Sequence, residues 1–391
     1  MKAAKPELMS KLNKDAILYL LRNEGPLSRA DIARKLNMSF PAVSSNVKSL
    51  LESGFIVKIG EGEGSSGLGR KSTLFAFNAK RGYVIGIDAG RSQIRALCSD
   101  LLGEPVASVK KDNDFEKGGE YLYQQIESAL LEVIEKSNIS KENIECICIG
   151  LPGIRDEDKK INRLAPFIDN WENIDVAERI REKINSEIII DNGVNLGAIG
   201  EKWKGAAQGY QNIVYINLGV GIGAGIIINN ELYRGKNNAA GEIGYMTLDK
   251  HFLRKRYKEE GSMEELISVP SLNNTMKFLT KRTQDFSMEE IIKLAESDNL
   301  IAKGVIYESL VYLSMAITNI VAVLNPELIV IAGRAGKVLA EKYGDLIIKY
   351  ISANVPFVPD FVVSKLGDDA SVIGAVGVAI RHTKNNYKSY I

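Results

Sequence analysis

Near the start of this 391-residue chain a run of small, hydrogen-bonding side chains, Pro41, Ala42, Ser44, Ser45, Asn46 and Lys48, falls opposite the apolar spacing Val43, Val47, Leu50 and Leu51. Small residues let a helix sink into a DNA major groove, where Ser and Asn read base edges or phosphates. Taken alone, such a face is also what any solvated helix shows. Fifteen or so residues on, a Gly/Ser-rich stretch ends in Arg70-Lys71, two cations suited to a phosphate or a minor groove. A different chemistry is open to the turns Asp88-Ala89-Gly90 and Gly219-Val220-Gly221-Ile222-Gly223-Ala224-Gly225, whose glycines leave backbone N–H groups free to meet an anion. Glycine serves plain hairpins equally well, so neither turn names a ligand by itself.

The surrounding elements decide between these readings. Leu12, Ile17, Leu18, Leu20 and Leu21 recur at helical spacing and Glu24-Gly25-Pro26 stops them, which predicts a first helix. Ser28 with Asp31 three residues on starts a second as a capping box, and Asn37-Met38 turns the chain. Ser39 caps a third helix with Pro41 in its first turn, and Gly54 closes it. Two strands at 55–59 and 73–77 flank the glycine-rich loop, so three helices and a hairpin make a winged helix-turn-helix over residues 1–80. Its DNA-contacting residues are then Ser39, Pro41, Ala42, Ser44, Ser45, Asn46, Lys48, Arg70 and Lys71. After Lys80 apolar runs with glycine turns alternate with helical stretches, as in α/β folds, beginning with a buried strand over 83–90 that ends in a carboxylate and a tight turn, and its hairpin partner at 94–100.

Composition agrees. The chain is 45% hydrophobic and 25% charged with formal net charge +1, which points to no disordered or highly charged class. The charge is unevenly spread, however: residues 1–80 hold 13 Lys and Arg against 7 Asp and Glu, leaving 37 against 42 for the rest. A basic end on an otherwise slightly acidic chain suits an appended nucleic-acid module. Cys98, Cys146 and Cys148 lie in apolar runs without disulfide or zinc spacing, so buried reduced thiols are expected. With no targeting segment or membrane span in the sequence, a cytoplasmic protein is expected.

Five segments together resemble the ROK family (repressors, open reading frames and sugar kinases), and the resemblance covers nearly the whole chain. They are Gly69-Arg70-Lys71, Gly150-Leu151-Pro152-Gly153, Ala239-Ala240-Gly241-Glu242-Ile243-Gly244-Tyr245-Met246, Asn325-Pro326-Glu327-Leu328 and Ile373-Gly374-Ala375. The resemblance implies an α/β fold in which the winged helix-turn-helix precedes a bilobal actin-like, sugar-kinase-like (ribonuclease H-like) body. The small lobe is expected at 81–198 with 372–391, and the large lobe, with dimerisation, at 199–371. By match to the family's motifs, Asn192, Glu242, Tyr245 and Glu264 hold the sugar-binding positions. Carboxylates and amides suit a polyol because each engages adjacent hydroxyls.

Departures from the family's kinases set the expected activity. Their Glu-Asn-Asp-x-Asn run reads Asp191-Asn192-Gly193-Val194-Asn195, so the catalytic carboxylate has become glycine. Loss of a general base removes about 10²–10⁴ in rate. Asp191 could substitute only from a shifted backbone. Arg91 puts a cation where phosphates should approach, Val220 replaces a hydroxyl, and the family's zinc cysteines and histidine are missing around Tyr245, with His251 unable to build a site alone. The expectation is therefore a non-enzyme without metal or other cofactor. It would be a sugar-responsive transcriptional regulator of carbohydrate-utilisation genes, repressing through operator DNA, with a sugar or sugar phosphate as effector. A homodimer or larger homo-oligomer is implied, because one winged helix reads one half-site. The alternative is an active ATP-dependent sugar kinase with an appended DNA-binding domain. A third reading, a protein-binding module whose winged helix no longer meets DNA, is disfavoured by the basic end and Arg70-Lys71.

Overall fold

The computed structural model describes residues 6–62, 72–156, 161–163, 165, 167–254 and 261–383. It opens with α1 (Pro6–Glu24), β1 (Leu27–Ser28), α2 (Arg29–Leu36), α3 (Phe40–Glu52), β2 (Ile56–Gly62) and β3 (Ser72–Phe77). Ser28 makes the full capping box with Asp31, and Ser39 accepts a hydrogen bond from the Ala42 amide at the head of α3. Asn37 ends α2 at φ 51°, a left-handed turn that asparagine tolerates better than most residues. The strands β2 and β3 form the wing, and β1 adds a third antiparallel strand through Leu27 opposite Phe75. Ile17, Leu21, Ile32, Val43, Val47 and Phe75 are buried between the helices and this small sheet.

Two five-stranded sheets of one topology make the body. The first runs β10-β7-β4-β5-β6, from β4 (Tyr83–Ala89), β5 (Gln93–Asp100), β6 (Pro105–Asp112), β7 (Ile144–Leu151) and β10 (Glu187–Asn192). The helix α4 (Gly119–Ser137) follows β6; β8 (Ile154–Asp156), β9 (Ile161–Arg163) and α5 (Val176–Arg181) precede β10. The second sheet, reached through α6 (Gly193–Lys204), runs β13-β12-β11-β14-β15. Its strands are β11 (Ile213–Leu218), β12 (Ile222–Ile228), β13 (Glu231–Leu232), β14 (Leu328–Ala332) and β15 (Asp360–Val363). In each, three antiparallel strands are extended by two parallel ones. The helices α7 (Glu264–Ile267), α8 (Val269–Thr280), α9 (Met288–Glu296) and α10 (Leu300–Leu324) precede β14, α11 (Arg334–Ser352) joins it to β15, and α12 (Ala370–Arg381) closes the chain.

Period-two alternation explains why both faces of the first sheet are apolar. Ile85, Ile87, Ile147 and Ile149 point toward α4, whereas Val84, Cys146 and Cys148 point toward α6 and α12. All three cysteines are buried and free. The helix α10 is long and apolar enough to cross a bilayer, yet Val305, Leu310, Leu313 and Ile317 lie in the core over the second sheet.

The helix α6 bears on where the two lobes meet. A lobe boundary at 198/199 falls inside this unbroken helix, where Leu196 and Ile199 belong to the core shared with α12 and Ala198 to the core of the second sheet. The α6 helix is therefore common to both lobes. It crosses α12 at glycines: a β-carbon on Gly374 would overlap the Leu196 carbonyl, and one on Gly200 the Ala370 carbonyl.

Candidate ligand cleft and DNA-reading surface

The surface of α3 is only partly the one expected. Pro41, Ser45 and Lys48 are exposed and Ala42 and Ser44 half-buried, with Lys48 3.9 Å from Glu52 one turn on. Asn46 is not on that surface. It is 7% exposed, donates to the Ala42 carbonyl at 2.9 Å and accepts from the Ser10 hydroxyl at 3.3 Å. An amide with both ends engaged inside the domain braces α1 against α3 and cannot turn outward without leaving those partners unpaired. Phe40, which was not expected here, is 56% exposed beside Pro41. Its position as the residue between cap and proline was the available signal. Arg70 and Lys71 lie outside the described residues.

The glycine turns and the sugar-position residues meet where α6 begins. Asn192 caps that helix, accepting from the Val194 and Asn195 amides at 2.7 and 3.4 Å, and its Nδ2 donates to the Gly153 carbonyl at 2.8 Å. The cap therefore holds the Leu151-Pro152-Gly153 loop onto the helix N-terminus. Asn192, Asn195, Gly223, Asn238 and Glu242 line one cleft. Burial, with Glu264 nearby, pushes the Glu242 carboxyl up to about 7. Glu264 is committed to the fold: its Oε1 accepts from the Ile222 amide at 3.0 Å and its Oε2 from the Gly261 amide at 3.3 Å, tying the second glycine turn to the following loop. Neither Glu264 nor Tyr245 lines the cleft. Of the four sugar-position residues the structure thus brings Asn192 and Glu242 together, with Glu264 behind them. Asn195 and Asn238 are additions. Asn238 stands at φ 56° within Asn237-Asn238, and an Asn pair before Ala-Ala-Gly was the sequence signal for a left-handed turn.

The pKa of Glu242 makes its protonation a stability matter. Its folded pKa lies above the unfolded value of 4.5, so the folded chain holds a proton that the unfolded chain releases as pH rises between about 4.5 and 7. Stability from this group is complete below that window and lost above it. The melting temperature of the wild type is expected to fall from pH 5 to pH 8 by more than that of Glu242→Gln; parallel curves would refute a buried, proton-holding carboxyl.

At the position of the kinases' catalytic base, Gly193 leaves room beside Asp88: a β-carbon would sit 3.3 Å from its carboxylate. Burial pushes Asp88 itself up to about 7. Asp191 is gripped by Arg234 through two hydrogen bonds of 2.8 and 2.6 Å and also accepts from the Asn192 amide. Both oxygens of that carboxylate are thus engaged inside the fold. Arg91, next to the first glycine turn, lies 5.9 Å from the ring of Phe167, which stacks on Phe115, and 3.6 Å from Glu116. His251 is exposed and pairs with Asp249.

Comparison with known proteins follows the same division. Residues 84–382 match the ROK family, and residues 14–57 match the winged helix-turn-helix DNA-binding family. The xylose repressor of Bacillus subtilis (strain 168) is 29% identical over 388 residues, 98% of each chain. A glucokinase of Halalkalibacterium halodurans is 28% identical over 325 residues, which are 78% of this chain and 96% of its own. Among solved structures, a ROK family transcriptional regulator homologous to the E. coli MLC protein superposes with a TM-score of 0.76 at 20% identity over 97% of each chain. The ROK hexokinase from Thermus thermophilus gives 0.66 at 22% identity over 76% of this chain and 97% of its own. Both carry the same fold.

Proposed function

Because the chain belongs to the ROK family, we propose that it is a sugar-responsive transcriptional repressor, with xylose as the effector and the operator of carbohydrate-utilisation genes as its DNA target. The observation that carries this reading is the end-to-end likeness, over 98% of both chains, to a protein named a xylose repressor, winged helix included. The exposed small-residue face of α3 supports it from the structure. Two copies are needed to read paired half-sites, so the working form is a homodimer or larger, in the cytoplasm where the DNA is.

Catalysis is absent in this reading. Gly193 offers no proton acceptor, the Asp191 carboxylate is held by Arg234, and Arg91 stands where phosphates would approach. The kinase alternative draws support only from the glucokinase likeness of the body. Sugar binding is assigned to Glu242 and Asn192, with Glu264 and Tyr245 shaping the wall behind them, and repression is relieved when the sugar favours a body conformation in which the winged helices fit the operator less well.

The test is operator binding by fluorescence anisotropy with and without D-xylose. Saturating sugar is expected to weaken operator binding about 5–150-fold, the usual span of allosteric coupling, with no ATP-dependent product. An operator affinity blind to every monosaccharide would overturn the sensor; turnover near the 1–100 s⁻¹ of ordinary kinases would overturn the loss of catalysis.

A further inference from the structure

A second and larger cavity, of about 230 Å³, opens beside the Glu242 cleft. It is walled by Arg155, Asp191, Arg234, Asn238, Val378 and His382, from β8, β10, the loop after β13, and the end of α12. Ile154, Ile189 and Ile190 supply an apolar side. Asn192, Asn195 and Asn238 line both spaces.

The lining specifies a ligand class. Its ionic groups are matched in pairs, Arg234 with Asp191 at 2.6 Å and Arg155 with Asp175 at 3.4 Å, so a guest is offered no unbalanced charge. Beside them stand the Asn238 amide, the Asn195 amide, whose Nδ2 donates to Asp191 at 3.4 Å, the capping Asn192, an imidazole and a branched aliphatic wall. His382 donates from Nδ1 to the Val378 carbonyl at 3.0 Å, which leaves Nε2 as an acceptor in the neutral ring. Amides and an acceptor facing an aliphatic wall match a molecule with hydroxyl edges and C–H faces. At roughly 30 Å³ per water the space equals about eight waters, room for one monosaccharide ring.

Its position gives occupancy a consequence. Val378, Ala379 and Ile380 of α12 belong to the same continuous apolar cluster as Ile17, Val47 and Phe77 of the winged helix. A guest against Val378 and His382 therefore presses on a helix that is itself part of the cluster that holds the DNA-reading domain. We propose that this chamber is a ligand site in its own right, separate from the Glu242 cleft, taking one neutral monosaccharide or small polyol, and that α12 carries its occupancy to the winged helix.

The test titrates D-xylose and D-glucose calorimetrically into the full chain and into its Glu242→Ala, His382→Trp and Asn238→Gly variants. His382 is exposed, so a larger ring there fills the chamber without entering the core, and glycine adopts the backbone of Asn238 without strain. One of the two sugars is expected to bind the Glu242→Ala chain still, with His382→Trp added to it lowering that affinity at least tenfold and Asn238→Gly lowering it about threefold, at unchanged melting temperature. Loss of all binding in Glu242→Ala, or binding there that neither second change alters, would overturn the chamber and leave the repressor reading standing. Binding that ignores Glu242→Ala and disappears in His382→Trp alone would keep the chamber and remove the cleft assignment.

Discussion

Changing Ser45 and Lys48 together to glutamate is expected to lower operator affinity at least a hundredfold while leaving the melting temperature where it was. Both side chains are exposed on α3, so the folded domain loses only the 3.9 Å surface pair of Lys48 with Glu52, a contact of little energetic weight. Against DNA the two changes act together, because Lys48→Glu removes one phosphate-neutralising charge and both place carboxylates against a polyanion. The salt dependence of binding, read by anisotropy between 50 and 200 mM salt, should flatten as counterion release falls. Affinity within threefold of wild type would show that α3 does not face the DNA. Asn46→Ala behaves oppositely: with its amide bound to Ala42 and Ser10, its loss loosens α1 from α3 and lowers stability without altering which sequences are preferred.

The largest stability effect is expected at Gly374. A methyl group there would overlap the Leu196 carbonyl and crowd the Gly200 amide, both on the facing helix α6, and backbone cannot rotate away as a side chain can. Gly374→Ala should therefore destabilise by about 3–5 kcal/mol, the upper range of single changes. Gly304 provides the control. It lies in α10 with nothing within 4 Å of an added β-carbon, so Gly304→Ala should be stabilising by about 0.5–1 kcal/mol through helix propensity alone. Urea unfolding curves compare the two, and equal midpoints would mean that α6 and α12 do not cross this closely.

Local signals are legible in the sequence. The capping box at Ser28 and Asp31, the cap at Ser39 and the strand pair opening the body depend on neighbours a few residues apart, and all stand as expected. Features that depend on distant partners are not. The periodicity of α3 puts Asn46 near the edge of the polar face, and only Ser10, 36 residues earlier, turns it inward. Glu264 reads as a free carboxylate until the Ile222 amide, 42 residues back, is seen to occupy it. Likewise Leu27–Ser28 is too short to announce itself as a strand and exists because β3 presents an open edge. The side of the 198/199 boundary on which α6 falls is not legible locally for a related reason: a helix such as Gly193–Lys204 can serve two sheets at once.

The burial of the cysteines has a practical side. Cys98, Cys146 and Cys148 are each 0% exposed, and burial pushes the first two thiols up to about 11 and about 12 and the third well above its usual range. Thiolate is the reactive form, so at neutral pH these groups resist alkylating dyes and peroxide alike. The wild-type chain is thus already a silent background for site-directed labelling. A single cysteine placed at exposed Tyr19 and another at exposed Phe357 would be the two points that take up fluorophores, and the distance between them could be followed as sugar and DNA are added, without first stripping the native thiols from the core.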